Sequence, residues 1–408
     1  MRWLALVLLF GGVSYGADTV QELEARGVAL KAQGDAGGAL AVYQQAAALD
    51  PKSAHLADEV GFLLMVLNRR DEAIQSFQRA IDLDPKFALA QYHLGAVYWL
   101  AEDRARSIPH LQSAAALEPD NFEFRYKYGQ VLQSEGQYSE ALPHLRAAVA
   151  ANAQRWDVWN SLGMALQKTG DLAAAVDAYQ RAVDLNPADA DARNNLGTTL
   201  VYTRRADEGI AQFAKILEAD PSFNMARVNM AFAYIQKGYA DKAVEQLREA
   251  IRREPDLAIA HYDLGVALKN KDEIEAAEAE LRRTLELDPS MAEAHYTLGI
   301  AEWQTGAFDE AAKEMRAAIA LRPDYGEAYF MLGTALKQKG DRDGAEGALR
   351  KAIELNPGDP GPYNTLGQLL RQKGDLEGSK AAFAKGEHVK QTKEAELGRM
   401  LQKKDTLQ

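Results

Sequence analysis

Residues 292–325 read AEAHYTLGIAEWQTGAFDEAAKEMRAAIALRPDY. In the first half, Ala292, His295, Leu298 and Gly299 share one helical face at three- and four-residue spacing. Gly306 follows as a stop, because glycine takes the left-handed conformation that closes a helix C-terminus. Residues 308–321, FDEAAKEMRAAIAL, form a second helical stretch that ends at Arg322-Pro323. Proline cannot continue the hydrogen-bond ladder and biases the residue before it away from helix. The stretch therefore predicts two helices joined by a tight turn.

The same pattern recurs along the chain with a period of 34 residues. Pro51, Pro85 and Pro119 lie on that ladder, as do Pro187, Pro221, Pro255, Pro289, Pro323 and Pro357. Ala153 stands at the one rung without proline and marks a softened junction rather than a domain boundary. A glycine column keeps the period from Gly27 to Gly367, with Ala231 filling its gap, and a third column runs from Ala39 to Ser379 in Ala, Ser and Gly. Small residues there let paired helices approach closely. No unit shifts phase, so eleven units in register are expected from residue 20 onwards.

These columns resemble the tetratricopeptide repeat family. One unit spells the pattern as Leu162-Gly163, Ala175, Tyr179, Ala182 and Pro187. The resemblance implies an all-α fold, a right-handed superhelical solenoid of antiparallel helix pairs whose first helices line a concave groove, with a C-terminal capping helix. Stability in such arrays is approximately a sum of unit and nearest-neighbour terms. The division expected is a signal peptide over 1–17, the solenoid over 18–393 and a polar helical tail over 394–408. In the last unit Gly386 replaces the expected alanine and no proline follows. Its polar extension is either a solvating cap or a partner-binding arm.

The N-terminus, MRWLALVLLFGGVSYGA, has the form of a secretory signal. Arg2 supplies the positive end, Trp3–Val13 the apolar run, and Ser14 and Gly16 the small residues before cleavage near Gly16 or Ala17. That run is short for a bilayer, and no later segment is long and apolar enough to span one, so an exported, non-integral protein of periplasmic or secreted location is expected. The 408 residues include no cysteine, which excludes disulfides, thiolate metal sites and a cysteine-borne lipid anchor. The net charge of −12 argues against a nucleic-acid partner, which would need a basic face.

No Walker loop, dinucleotide fingerprint, nucleophile elbow or HExxH is present, so neither catalytic nor cofactor-binding residues are assigned. The seven histidines offer no metal site. His261 and His295 recur one period apart, and equivalent residues in neighbouring units sit roughly 8–10 Å apart, too far to share an ion bound at about 2.0–2.1 Å. Both histidines stand four before the glycine, where the family places a bulky packing residue, and are expected between helices.

The informative surface is the groove. Counted from the glycine column, positions six and three before and one and four after share a face turned away from the packing side. On it Tyr92 and Trp99 stand in the third unit, Phe232 in the seventh, Tyr262 in the eighth, Tyr296 and Trp303 in the ninth and Phe330 in the tenth. Units four to six turn polar there. An apolar stripe on such a face reads either as an interaction surface or as partly structural packing.

The resemblance also implies two specific grooves. A clamp for C-terminal carboxylates needs lysine three before the glycine and asparagine just after it, and neither occurs. An asparagine ladder two before the glycine is matched only by Asn195 and Asn229, with Asp263 as the next rung. The function expected is a non-catalytic scaffold that binds an extended or helical segment of a protein or peptide partner. The alternative is a regulatory or substrate-feeding arm of a glycosyltransferase or polysaccharide-export machine whose catalytic part is another chain.

Overall fold

Where the sequence repeats, the backbone repeats with it. In a computed structural model that describes residues 18–405, first helices begin at residues 20, 54, 88, 122, 156, 190, 224, 258, 292, 326 and 360. Residues 1–17, which hold the signal-like leader, lie outside the described residues. Among the described residues there are 22 helices and no strand.

Two compact units divide the chain, one ending at Ala192 and the other starting at Arg193. In the first unit the pairs are α1 (Val20–Ala32) with α2 (Ala36–Leu49), α3 (Ala54–Val66) with α4 (Arg70–Leu83), and α5 (Ala88–Leu100) with α6 (Arg104–Leu117). They continue with α7 (Phe122–Ser134) and α8 (Tyr138–Ala151), then α9 (Trp156–Lys168) and α10 (Leu172–Leu185). The division falls inside α11 (Ala190–Tyr202), whose partner is α12 (Ala206–Ala219). The second unit continues with α13 (Asn224–Gln236) and α14 (Ala240–Arg253), α15 (Ala258–Asn270) and α16 (Ile274–Leu287), and α17 (Ala292–Gln304) and α18 (Phe308–Leu321). It ends with α19 (Gly326–Lys339) and α20 (Arg342–Leu355), and α21 (Pro360–Lys373) and α22 (Leu376–Asp405).

Each pair closes on the glycine column. A β-carbon added at Gly61 would lie 2.7 Å from the Phe77 ring, one at Gly197 2.6 Å from Phe213, and one at Gly265 2.7 Å from Leu281. The side chain sixteen residues on therefore sits directly on the bare Cα, and Phe77, Phe213 and Leu281 are essentially fully buried. The third column completes the contact from the other helix. Where it is serine, the hydroxyl donates to the glycine carbonyl, Ser107 Oγ to Gly95 O and Ser379 Oγ to Gly367 O, both at 2.8 Å.

Turns follow the punctuation read from the sequence, with one extension. Gly34, Gly136, Gly170, Gly238, Gly306, Gly340 and Gly374 take positive φ after the first helix. In the four other turns Asn68, Glu102, Arg204 and Asp272 adopt the same left-handed conformation without glycine. Residues before the ladder prolines are extended, for example Asp84 at φ −140°, ψ 97° and Asp288 at φ −136°, ψ 90°. Asn152, before Ala153, holds φ −147°, ψ 89° although no proline imposes it.

A second device keeps that linker in place. In several units the residue four before the glycine donates to the ladder carbonyl six residues back. Arg125 Nε reaches Pro119 O at 2.8 Å, Arg227 Nη2 reaches Pro221 O at 2.9 Å, and Trp159 Nε1 reaches Ala153 O at 3.0 Å. His261 and His295 occupy the same column. Nε2 of each faces the carbonyl of Pro255 or Pro289, and Nδ1 faces Glu280 or Glu314 at 2.6 Å. The two histidines thus tie the linker to both helices of their own pair.

The last unit departs from the others. Helix α22 does not stop at the usual place but runs 30 residues, so the polar tail extends the last repeat's own second helix. Gly386 packs closely on α21 there, where a β-carbon would come within 2.9 Å of Asn364 Oδ1 and 3.1 Å of Tyr363 Cβ.

The glycine contact predicts unequal costs for the same substitution. Gly163→Ala drives a methyl to 2.7 Å from the Tyr179 ring, which is held by a 2.9 Å hydrogen bond from its hydroxyl to Gln167 Oε1. Gly299→Ala meets the mobile end of Met315, its terminal methyl, and more loosely the Ala311 carbonyl oxygen at 3.2 Å. We expect the first to lose about 1–3 kcal/mol by overpacking. We expect the second to lose less than about 1 kcal/mol, because methionine adapts and alanine favours helix. Urea unfolding followed by circular dichroism checks this, and equal losses would contradict the packing described.

Candidate partner-binding face

Side chains that the pair contact does not consume lie on the outer side of the first helices. Within the first unit, Tyr92 is half-buried and stacks on Phe124 with ring centres 4.9 Å apart. Burial, with Glu123 nearby, pushes its phenol up. Trp99 lies between Arg104 and Lys127, whose cationic groups are 5.8 and 5.6 Å from the ring centre. Burial holds the Lys127 ammonium below its ordinary range.

In the second unit the sequence-chosen residues are all half-buried, but neighbours already engage most of them. The Tyr296 ring is 4.9 Å from that of Tyr325, over which the Arg322 guanidinium stacks at 3.5 Å. Arg322 Nη1 also pairs with Glu293 Oε1 at 2.8 Å. Phe330 rests on the start of α21, where a β-carbon on Gly361 would be 3.2 Å from its ring. Trp303 packs near Phe308, and its indole N–H is buried without an acceptor among the described residues. Tyr262 has its phenol pushed up by burial, and Thr297 of the next repeat is within hydrogen-bonding reach. These aromatics join one repeat to the next as much as they offer surface.

Open apolar side chains of the second unit's first helices lie elsewhere. Tyr202 is 55% exposed and Met225 42%, and Phe232, half-buried, has its ring 5.9 Å from that of Tyr202. Met225, Asn229 and Phe232 follow one another on α13 at four- and three-residue spacing, so they form one stripe. Tyr202 escaped the sequence reading because it stands five after its glycine, one residue beyond the positions counted. Tyr325 escaped because it precedes its helix.

A polar register runs along the same face. The residue three before one glycine meets the residue two before the next. Asp58 Oδ1 faces His93 Nδ1 at 2.9 Å, Tyr126 Oη lies 3.5 Å from Ser161 Oγ, and Asn229 Nδ2 donates to Asn194 Oδ1 at 2.9 Å. Of the two expected ladder asparagines, Asn229 is therefore bound sideways to its neighbour. Asn195 is half-buried and accepts from Thr199 through its backbone carbonyl at 2.8 Å.

Asp263 occupies the next rung and breaks the register. Its counterpart in the preceding repeat is Val228, which is 1% exposed and has nothing to donate. Asp263 is 7% exposed, and none of the hydrogen bonds or ion pairs among the described residues involves its carboxyl. Burial pushes that carboxyl up to about 7. Among the described residues no three His, Asp or Glu side chains gather to hold a metal ion, and no helix is long and apolar enough to cross a membrane.

Family models described as tetratricopeptide repeat match residues 101–155, 126–190, 160–224, 269–326 and 296–360, and another of that description matches 348–381. One described as TPR repeat matches 63–101 and 232–272. The chain belongs to the tetratricopeptide repeat family. No catalytic family is among the matches, and no curated protein matches the chain.

Solved structures that align at a TM-score above 0.5 share the fold. One from Parabacteroides merdae ATCC 43184 is 16% identical, with 61% of this chain and 98% of that chain aligned at a TM-score of 0.55. The APC/C hetero-tetramer Cut9–Hcn1 is 12% identical, with 86% and 84% aligned at 0.54. YrrB, described as a TPR protein with an unusual peptide-binding site, is 28% identical, with 46% and 96% aligned at 0.42.

The isolated carboxyl gives the repeats a pH signature. Folded Asp263 binds its proton more tightly than the unfolded chain, whose reference value is 3.8. Its contribution to stability is full below about pH 4 and is lost as the pH rises towards about 7, by up to about 1.4 kcal/mol per unit. Asp263→Asn should match the parent near pH 4 and exceed it in stability at pH 8. Parallel stability–pH curves for the two proteins would show that the carboxyl is not isolated as described.

Proposed function

We propose that this protein is a non-catalytic scaffold that holds an extended or helical segment of a protein partner against the first-helix face of its second unit. The observation that carries the reading is the exposed pair Tyr202 and Met225, with the half-buried Phe232 ring beside Tyr202. Tyr202 and Met225 are not consumed by a helix-pair contact, and a tyrosine beside a methionine offers wide, adaptable contact area at modest entropic cost. Asn194 and Asn229 lie on the same face and supply amide groups suited to a peptide backbone. The half-buried aromatics Tyr262, Tyr296, Trp303 and Phe330 stand on the first helices of the repeats that follow and continue the apolar stripe.

The proposal includes export. Arg2, the apolar run that follows and the small residues near Gly16 support a cleaved leader, and sequencing the N-terminus of the mature protein tests it.

Binding is tested with a synthetic library of N-terminally acetylated peptides and the full chain. The double substitution Tyr202→Ala with Met225→Ala removes exposed groups only, so helicity should not change. It should weaken capture of the selected peptides at least about tenfold, which corresponds to about 1.4 kcal/mol. Unchanged affinity, or no peptide captured by the parent chain, would refute the reading.

A further inference from the structure

We propose that Asp263 anchors a basic side chain, lysine or arginine, of the segment bound on this face; the inference rests on the binding reading above. The first support is positional. Asp263 belongs to the polar register of the face, between Asn229 one repeat earlier and Thr297 one repeat later. Asp58, Asn194 and Asn229 of that register find polar partners inside the chain. Asp263 cannot, because Val228 stands where its donor would be.

Charges already present on neighbouring elements do not relieve it. Arg322 is committed to Glu293 and to the Tyr325 ring. The Lys237 ammonium pairs with Asp207, and the Lys269 ammonium lies 3.4 Å from Asn270 Oδ1. Tyr262, the neighbour in sequence, is an uncharged phenol whose proton burial holds in place. Thr297 donates its hydroxyl to Glu293 O at 2.8 Å and so has no proton left for Asp263.

A buried carboxylate without a counter-charge is costly, and a partner cation removes that cost at short range in a medium of low dielectric. A neutral backbone amide would leave the charge uncompensated. The surroundings also suit the stem of a long basic residue. Ile259 and Val266, four before and three after Asp263, are half-buried on the same side of α15 and can line the methylenes of lysine or arginine. The occupant specified is therefore an extended segment with one basic side chain opposite α15 and apolar side chains opposite Tyr202, Met225 and Phe232.

The test uses the full chain and the same acetylated library, scanned position by position. One position should select lysine or arginine over glutamine and norleucine by about tenfold or more, converted from the range for close charge pairs. Asp263→Asn keeps the shape and removes the charge. It should cut that selectivity to about one while preferences at the apolar positions stay unchanged. Persistent basic selectivity in the variant, or peptides bound with no basic preference, would overturn the anchor and leave the scaffold standing. Failure of the parent chain to bind any peptide would overturn both.

Discussion

Close approach of two helices across a bare Cα is the constraint on which the rest of this molecule depends. Where the first helix carries glycine, the bulky residue sixteen positions later settles within 3.0 Å of the place a β-carbon would take. Tyr, Phe, Leu and Met all serve as that residue, because the seat requires bulk and not a particular shape. Ala231 shows the tolerance of the arrangement, since Leu247 is still fully buried in its pair. With the pair distance set in this way, successive pairs can stack in register, and side chains on the outer face of a first helix are not needed for the contact within the pair.

That freedom is spent differently along the face. Some aromatics return to structural work by joining one repeat to the next, as Tyr92 does on Phe124 and Tyr296 on Tyr325. Others stay open, and the openness of Tyr202 and Met225 is what sets them apart. Asp263 combines both conditions, being placed with the polar register yet left without its internal donor. A residue of this kind costs stability in the free protein. Such a cost is intelligible where a ligand group removes it.

Legibility followed physical type. Proline, glycine and small-residue columns were plain in the chain because each position demands one chemical property that few residues supply. The tie from the residue four before the glycine to the linker carbonyl was not legible. Arg, Trp and His all perform it, so the column looks unrelated until the shared N–H donor is seen against its carbonyl. His261 and His295, conspicuous as repeated histidines, belong to this column, and their chemistry is that of a joint. Ala153 likewise looked like a weak point, yet Asn152 and Trp159 rebuild the junction without proline.

The amino-acid sequence alone determined the helix pairs, their phase, the turns closed by glycine and the seats on which they pack, since all of these are local or one period apart. Tertiary structure decided which members of the outer stripe remain available. Exposure depends on what the next repeat places opposite each residue, as with Phe330 on Gly361 and Val228 before Asp263. No count along a single helix contains that information, because burial is a property of two surfaces and each repeat supplies only one.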